Sequence, residues 1–125
     1  MRVLLVDDDA KGRQAMKRFL GGFGAPEILE ADNGAEALCV LHDHPVDVIV
    51  SDLQMPQLDG LGLVSALRGS GDATPVIVVS GHEDPEALMA AVRAGANGCL
   101  PKPFNTDLLL EQIEQATGLP LRAVA

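Results

Sequence analysis

Val3-Leu4-Leu5-Val6-Asp7-Asp8 opens the chain with a short, unbroken and partly β-branched apolar run that ends in acid. A strand with one wet face alternates apolar and polar residues. An unbroken run suits a strand covered on both faces, as in a parallel sheet. The pattern recurs downstream: Val48-Ile49-Val50-Ser51 leads into Asp52, Val76-Ile77-Val78-Val79 closes on Ser80, and Gly98-Cys99-Leu100-Pro101 precedes Lys102. If these runs are neighbouring parallel strands, the loops that follow them open at one edge of the sheet. Three carboxylates, a hydroxyl and an ammonium then share one crevice.

Between the strands the apolar spacing is helical. Residues 10–21 set Ala15, Met16, Phe19 and Leu20 on one stripe, and Gly21, Gly22 and Gly24 stop the helix. Residues 27–31 read as a second, more exposed strand. Asn33 and Glu36 have capping-box spacing, with Asn in place of the usual Ser or Thr. They open a helix carrying Ala37, Leu38 and Leu41, which Pro45 limits. The third strand spans residues 46–51. Asp59-Gly60 starts a helix with Leu63, Val64 and Leu67 inward, ending near Gly69 or Gly71. Asp84-Pro85 places an Asp cap before Pro at the first helical position, ahead of Leu88, Met89, Val92 and Ala96. A brief fifth strand over about residues 98–101 leads to a helix that follows Asn105-Thr106. That helix stacks Leu109, Ile113 and Ala116 and stops at Gly118 and Pro120.

Five strand–helix repeats make an α/β fold with a parallel sheet, helices on both faces and right-handed crossovers. Pro101 cannot donate to a ladder, so the fifth strand belongs at an edge. The second strand is the most polar and brings nothing to the polar set, so it takes the other edge. The order 2-1-3-4-5 satisfies both constraints. Strands 1 and 3 meet at the switch point, where ligands bind in such sheets. There is no internal linker or repeat, and residues 119–125 read as a tail or the start of a linker.

Composition narrows the function. The chain has 125 residues, 47% of them hydrophobic, which is enough for a single domain with a core. No apolar stretch approaches the roughly 20 residues that span a bilayer, and the start lacks signal-peptide features. A cytoplasmic protein without membrane contact is the expectation. A formal net charge of -9 repels nucleic-acid phosphate, so no direct nucleic-acid binding is expected of this domain. Trp and Tyr are absent, leaving Phe19, Phe23 and Phe104 for any stacking. Cys39 and Cys99 read as buried small hydrophobes and not as a disulfide framework.

Taken one at a time, the polar residues are ordinary. Asp7, Asp8 and Asp9 suit a helix start, and Lys102 suits a surface. Their joint placement after strands 1, 3, 4 and 5 is what points to chemistry. Two carboxylates about 4 Å apart repel by roughly 4 kcal/mol at an effective dielectric near 20. Three together need a proton or a cation. Oxygen-only ligands favour Mg²⁺, Mn²⁺ or Ca²⁺ over zinc, and without an all-protein calcium cage Mg²⁺ with several waters fits best. Opposite the acids, Lys102 and the Ser80 hydroxyl can each contact an oxygen of a bound phosphoryl group. There is no glycine-rich phosphate loop, which argues against a nucleotide site.

Leu5-Val6-Asp7-Asp8, Ser51-Asp52-Leu53-Gln54-Met55-Pro56 through Asp59-Gly60, Ala94-Gly95-Ala96-Asn97-Gly98 and Lys102-Pro103-Phe104 closely resemble the receiver domain of bacterial two-component response regulators. The likeness covers about residues 2–117, with residues 1–118 as the domain, and implies a flavodoxin-like (βα)5 fold. It implies Asp52 as phosphoacceptor, attacking a phosphohistidine on a sensor histidine kinase or a histidine phosphotransfer protein. By the same resemblance Asp8 and Asp52 ligate Mg²⁺ directly with the Gln54 backbone carbonyl, and Asp7 acts mainly through a metal-bound water. Ser80 is the Ser/Thr switch position, Lys102 contacts the phosphate, and the Lys102-Pro103 bond is cis. Phosphorylation then moves Ser80 and the loop after strand 4, and changes the surface of the fourth helix, fifth strand and fifth helix. A phosphorylation-dependent homodimer or an output partner would read that surface. The domain is then a switch, with slow self-dephosphorylation at most, and does not turn over a substrate of its own.

Two positions depart from the pattern or extend it. Cys99 stands where the family often has Tyr or Phe, so no ring can swing inward with Ser80. Either the output relies on backbone movement or the switch is weak. His82, two residues past Ser80, is a candidate to contact water that attacks the acyl phosphate, or else an exposed loop residue. His42 and His44 read as solvated loop residues. Two other functions compete with the phosphorylated switch. The first is a pseudo-receiver that binds partners without phosphorylation, and intact Asp7, Asp8, Asp52, Ser80 and Lys102 argue against it. The second, a flavin binder or aspartate-dependent phosphatase, lacks the hydroxyl-rich phosphate contacts, flanking aromatics or Gly-Thr that those sites need.

Overall fold

The computed structural model describes residues 1–23, 27–81, 85–103 and 105–121. Strands β1 (Arg2–Val6), β2 (Glu27–Ala31), β3 (Val48–Asp52), β4 (Val76–Ser80) and β5 (Gly98–Pro101) alternate with helices α1 (Ala10–Gly21), α2 (Gly34–Asp43), α3 (Gly60–Gly69), α4 (Pro85–Ala94) and α5 (Thr106–Thr117). All strands pair in parallel in the order β2-β1-β3-β4-β5. This is the flavodoxin-like order expected from the polar β2 and from Pro101 at the β5 edge.

The unbroken apolar runs have a direct cause. Side chains alternate across a strand, and here both faces are covered. Leu4, Val6, Ile49 and Val78 point into one buried layer with Ala37, Leu63, Val64, Leu67, Leu88 and Ala91 of α2, α3 and α4. Val3, Leu5, Val48, Val50, Ile77 and Val79 point into the other, with Leu20 of α1 and Leu109, Leu110 and Ile113 of α5. In β1 and β4 neither face takes a charged residue between the strand's first and last positions. Past α5, Leu121 packs into the second layer and its amide donates to Glu114 Oε1 at 3.3 Å.

The helix starts follow side-chain capping. Asp9, Asn33, Asp59 and Asn105 each accept an amide proton from the first turn of α1, α2, α3 and α5. Asn33 Oδ1 accepts from the Glu36 amide at 2.8 Å, but Glu36 reaches back to the Asp32 amide at 3.2 Å and not to Asn33, so the expected box is one residue wider. α4 begins at Pro85 as expected, and the proposed Asp84 cap lies outside the described residues. Gly118 ends α5 with φ of 70°, the left-handed cap that glycine adopts without penalty.

Several expectations about burial are corrected. In α4 the inward side chains are Leu88 and Ala91, while Met89 and Val92 are 49% and 37% exposed. The helix carries two apolar stripes, and packing against α3 and the sheet selects the one that holds Leu88. In α1, Leu20 is fully buried, Met16 and Phe19 are half-buried and Ala15 is exposed, because that flank borders an open groove. Neither cysteine is buried: Cys39 is exposed and Cys99 is half-buried. Cys39 stands two residues from inward-facing Ala37, about 200° further round α2, and Cys99 lies on an edge strand. His42 is exposed as expected, but it sits in the last turn of α2 and not in a loop.

Candidate functional site

Every strand that brings a polar residue to the site ends at the same edge of the sheet. Asp7 and Asp8 follow β1, Asp52 ends β3, Ser80 ends β4 and Lys102 follows β5. Register brings them level, with Val6 opposite Ser51, Asp52 opposite Val79 and Ser80 opposite Pro101.

Among the described residues, Asp7, Asp8 and Asp52 each bring a carboxylate oxygen to within 4.8 Å of the others. Lys102 Nζ lies 3.5 Å from Asp52 Oδ2 and 3.7 Å from Asp7 Oδ2. Ser80 is 1% exposed, and its carbonyl accepts from the Lys102 amide at 2.6 Å, which ties the ends of β4 and β5 together. The Gln54 amide donates to Asp52 Oδ1 at 3.3 Å, and the Lys102-Pro103 peptide bond is cis. The two oxygens of Asp52 thus have separate partners, a main-chain amide on Oδ1 and an ammonium on Oδ2. His82 lies outside the described residues, as does Phe104. Cys99, proposed as a modulator, is paired opposite Val78 on β5, and its carbonyl accepts from Gln112 Nε2 at 3.1 Å.

The loop after β3 is held by close packing. A Cβ on Gly60 would stand 2.5 Å from the Asp52 carbonyl oxygen and 2.9 Å from Leu53 Cα, so only glycine allows α3 to start this near the acceptor. Gln57 and Leu58 take positive φ of 54° and 92° in the same loop, and the Leu58 carbonyl is anchored by the Gly34 amide at 2.9 Å. Positive φ is costly for a branched side chain, and its presence beside Asp52 shows a loop shaped by its surroundings.

Electrostatics favour a cation here. Burial raises the pKa of Asp7, and the neighbouring Asp52 and Asp8 charges add to it, while the Asp9 amide and Lys102 pull the other way. The charged form of Asp7 is therefore disfavoured in the absence of a cation. Lys102 compensates only in part, since three carboxylates face one ammonium. Three oxygen donors within 4.8 Å, with no sulfur or imidazole among them, suit a hard divalent cation such as Mg²⁺ and fit zinc poorly.

Reasoning from sequence did not single out Arg13. Its side chain is 16% exposed and joins Asp7, Asp52 and Lys102 around an inner cavity of about 30 Å³. A basic residue one turn into α1, facing the acidic Glu30 and Asp32 at the end of β2, was the available signal. A larger groove of about 340 Å³ opens between α1 and the start of α5, lined by Gly12, Ala15, Met16, Phe19 and Thr106 with Asp7 and Lys102 at its edge. No helix among the described residues is long and apolar enough to cross a membrane.

The family profile "Response regulator receiver domain" matches residues 3–114. Curated proteins similar to this chain include "Response regulator MprA" of Mycobacterium tuberculosis, 37% identical over 113 residues, and its Mycobacterium leprae namesake, 40% identical over 114. Each alignment covers 90% of this chain and 49% of the relative, so the chain spans about half the length of the curated relatives it matches. Among solved structures, the Francisella response regulator 1452 receiver domain superposes with a TM-score of 0.86 at 33% identity, covering 94% of this chain and 96% of that one. The receiver domain of NtrX from Brucella abortus gives a TM-score of 0.85 at 29% identity, covering 93% and 98%.

Proposed function

Because this chain belongs to the response regulator receiver domain family, we propose that Asp52 takes a phosphoryl group from a phosphohistidine and thereby switches the surface built by α4, β5 and α5. The observation that carries this reading is the meeting of Asp7, Asp8, Asp52 and Lys102, from three separate loops, in one crevice.

The donor is a sensor histidine kinase or a histidine phosphotransfer protein, acting in the cytoplasm. Asp52 attacks phosphorus, the P–N bond breaks, and the imidazole leaves with the bonding pair and takes a proton from solvent. Asp52 then carries an acyl phosphate. Mg²⁺, held by Asp8 and Asp52 directly, by the Gln54 carbonyl and by Asp7 through water, would supply the positive charge that lets three carboxylates and a phosphoryl group share the crevice. Lys102, already 3.5 Å from the attacking carboxylate, contacts a phosphoryl oxygen as a point charge and steadies the charge that builds during transfer. The Gln54 amide steadies the other Asp52 oxygen. This is positioning and charge neutralisation, which is most of what phosphoryl transfer asks of a protein.

The output follows from the added charge. A phosphoryl group brings nearly two negative charges beside Lys102 and the end of β4. Ser80 moves toward it, and the main-chain bond from Lys102 to the Ser80 carbonyl carries that shift into β5. Met89 and Val92 on α4 and Leu108 on α5 are large exposed apolar side chains that a homodimer or an output partner could cover. With Cys99 in place of an aromatic ring, the signal travels through the backbone of β4 and β5. We assign residues 1–118 to the switch.

Purified protein mixed with Mg²⁺ and acetyl phosphate tests the reading by intact mass. One phosphoryl adduct is expected, lost without Mg²⁺ and lost in Asp52→Ala. An adduct that survives in Asp52→Ala removes Asp52 from the role.

A further inference from the structure

We infer that Arg13 is a positioning residue for the acidic loop: it clamps the Asp7 main chain so that the Asp7 and Asp8 carboxylates are aimed at Asp52. The inference rests on the phosphoacceptor reading above and adds a residue to its machinery.

Asp7 is held at each of its polar atoms. Its amide donates to the Ala31 carbonyl at 3.1 Å, at the end of β2. Its Oδ1 accepts from the Asp9 amide at 2.9 Å, and its Oδ2 faces Lys102 at 3.7 Å. The remaining atom, its carbonyl oxygen, accepts from Arg13 Nη1. A carbonyl fixed in this way sets the direction in which the chain leaves β1, and so the direction of the two carboxylates that follow.

The guanidinium is itself anchored. Nε donates to Glu30 Oε1 at 3.2 Å and Nη1 lies 3.4 Å from Asp32 Oδ1, both at the end of β2. Glu30 is braced in turn by Gln14 Nε2 at 3.0 Å and Lys17 Nζ at 3.5 Å. The planar fork reaches a carbonyl and two carboxylates together, which a single ammonium cannot do in the same geometry. Pairing with Glu30 and Asp32 also offsets much of its charge, so its effect on Asp7 is one of geometry first. The helix surface beneath leaves little slack, since a Cβ on Gly12 would stand 3.4 Å from Asp7 Oδ2.

Residues that orient metal-binding groups commonly change metal affinity by about 10- to 100-fold when removed. The test is Mg²⁺ titration of the metal-free protein, followed by NMR well below the melting temperature, in wild type, Arg13→Lys, Arg13→Ala and Glu30→Gln. Folding of each variant is checked by circular dichroism. Arg13→Lys and Arg13→Ala are expected to weaken Mg²⁺ binding by about tenfold or more, and Glu30→Gln by less, because one anchor remains. A structural role alone would lower the melting temperature and leave the affinity of the folded molecules unchanged. Folded Arg13→Lys with wild-type affinity overturns the inference, whatever becomes of Arg13→Ala, and so does wild type that binds no Mg²⁺. Equal affinities beside a normal phosphoryl adduct in wild type sink the Arg13 role alone. A missing adduct beside weakened variants sinks the phosphoacceptor reading and leaves the clamp standing.

Discussion

Lys102 Nζ stands 3.5 Å from Asp52 Oδ2, across 50 residues of chain. The contact is made possible by β5 lying beside β4 and β4 beside β3, so that the ends of three strands line one edge. The Lys102 side chain is 36% exposed, and an ion pair that wet adds little to stability. Its value lies in where it puts a positive charge, beside both Asp52 and Asp7.

Lys102→Met should therefore separate chemistry from folding. Removing one positioned donor to developing charge commonly costs on the order of 100-fold in rate. A loss of that order is expected in phosphorylation by acetyl phosphate, followed by intact mass. The thermal midpoint should move by only a few degrees.

Asp7→Asn should give the opposite balance. Two like charges 4.8 Å apart repel by about 1 kcal/mol at the dielectric of water and about 3.5 kcal/mol at an effective value of 20. Burial adds to the penalty on the Asp7 charge. Asn keeps the oxygen that accepts from Asp9 and loses the charge. The metal-free variant should melt about 3–5 °C higher for each kcal/mol relieved, and should bind Mg²⁺ more weakly. Calorimetric melts with and without Mg²⁺ check both halves.

Acid sensitivity should trace in part to a residue far from the site. Asp72 Oδ1 accepts from Thr74 Oγ1 at 2.6 Å and from the Thr74 amide at 2.9 Å, and these bonds hold its pKa below the ordinary value of 3.8. A group depressed by folding stabilises the fold above its unfolded pKa, and that contribution is lost as pH falls through the folded value. Asp72→Asn should lower the urea midpoint at neutral pH, and the gap to wild type should narrow as pH falls below the ordinary value of 3.8. A gap that stays constant with pH would remove Asp72 from this role.

The sheet order was legible because two features constrained it: Pro101 has no proton for a ladder, and β2 carries Glu27 and Glu30 where the central strands are apolar runs. Both belong to edges, and the order β2-β1-β3-β4-β5 meets both constraints while joining β1 to β3. The polar set was equally legible, because each member directly ends or follows an apolar run. Strand ends are fixed by burial, so the residues after them fall at one edge regardless of loop detail.

Burial of the helices was less legible. α4 offers Leu88 and Ala91 on one stripe and Met89 and Val92 on another, and nothing local ranks them. The choice comes from packing against α3, which is a tertiary fact. Cys39 was misread for a related reason, since residue type suggested burial and helix phase decided otherwise. Arg13 escaped notice because its partners, the Asp7 carbonyl and the Glu30 and Asp32 carboxylates, lie on two other elements. A half-buried arginine is recognised by its neighbours, and those neighbours are brought together only by the fold.

The central claim is that Asp52, and not another of the clustered acids, carries the phosphoryl group. Borohydride reduces an acyl phosphate to an alcohol and so converts the phosphorylated aspartate to homoserine. Protein treated with Mg²⁺ and acetyl phosphate, reduced and mapped by peptide mass spectrometry should show homoserine at position 52 alone, and none when Mg²⁺ is withheld. Homoserine at position 7 or 8, or none at all in the complete mixture, would contradict the account.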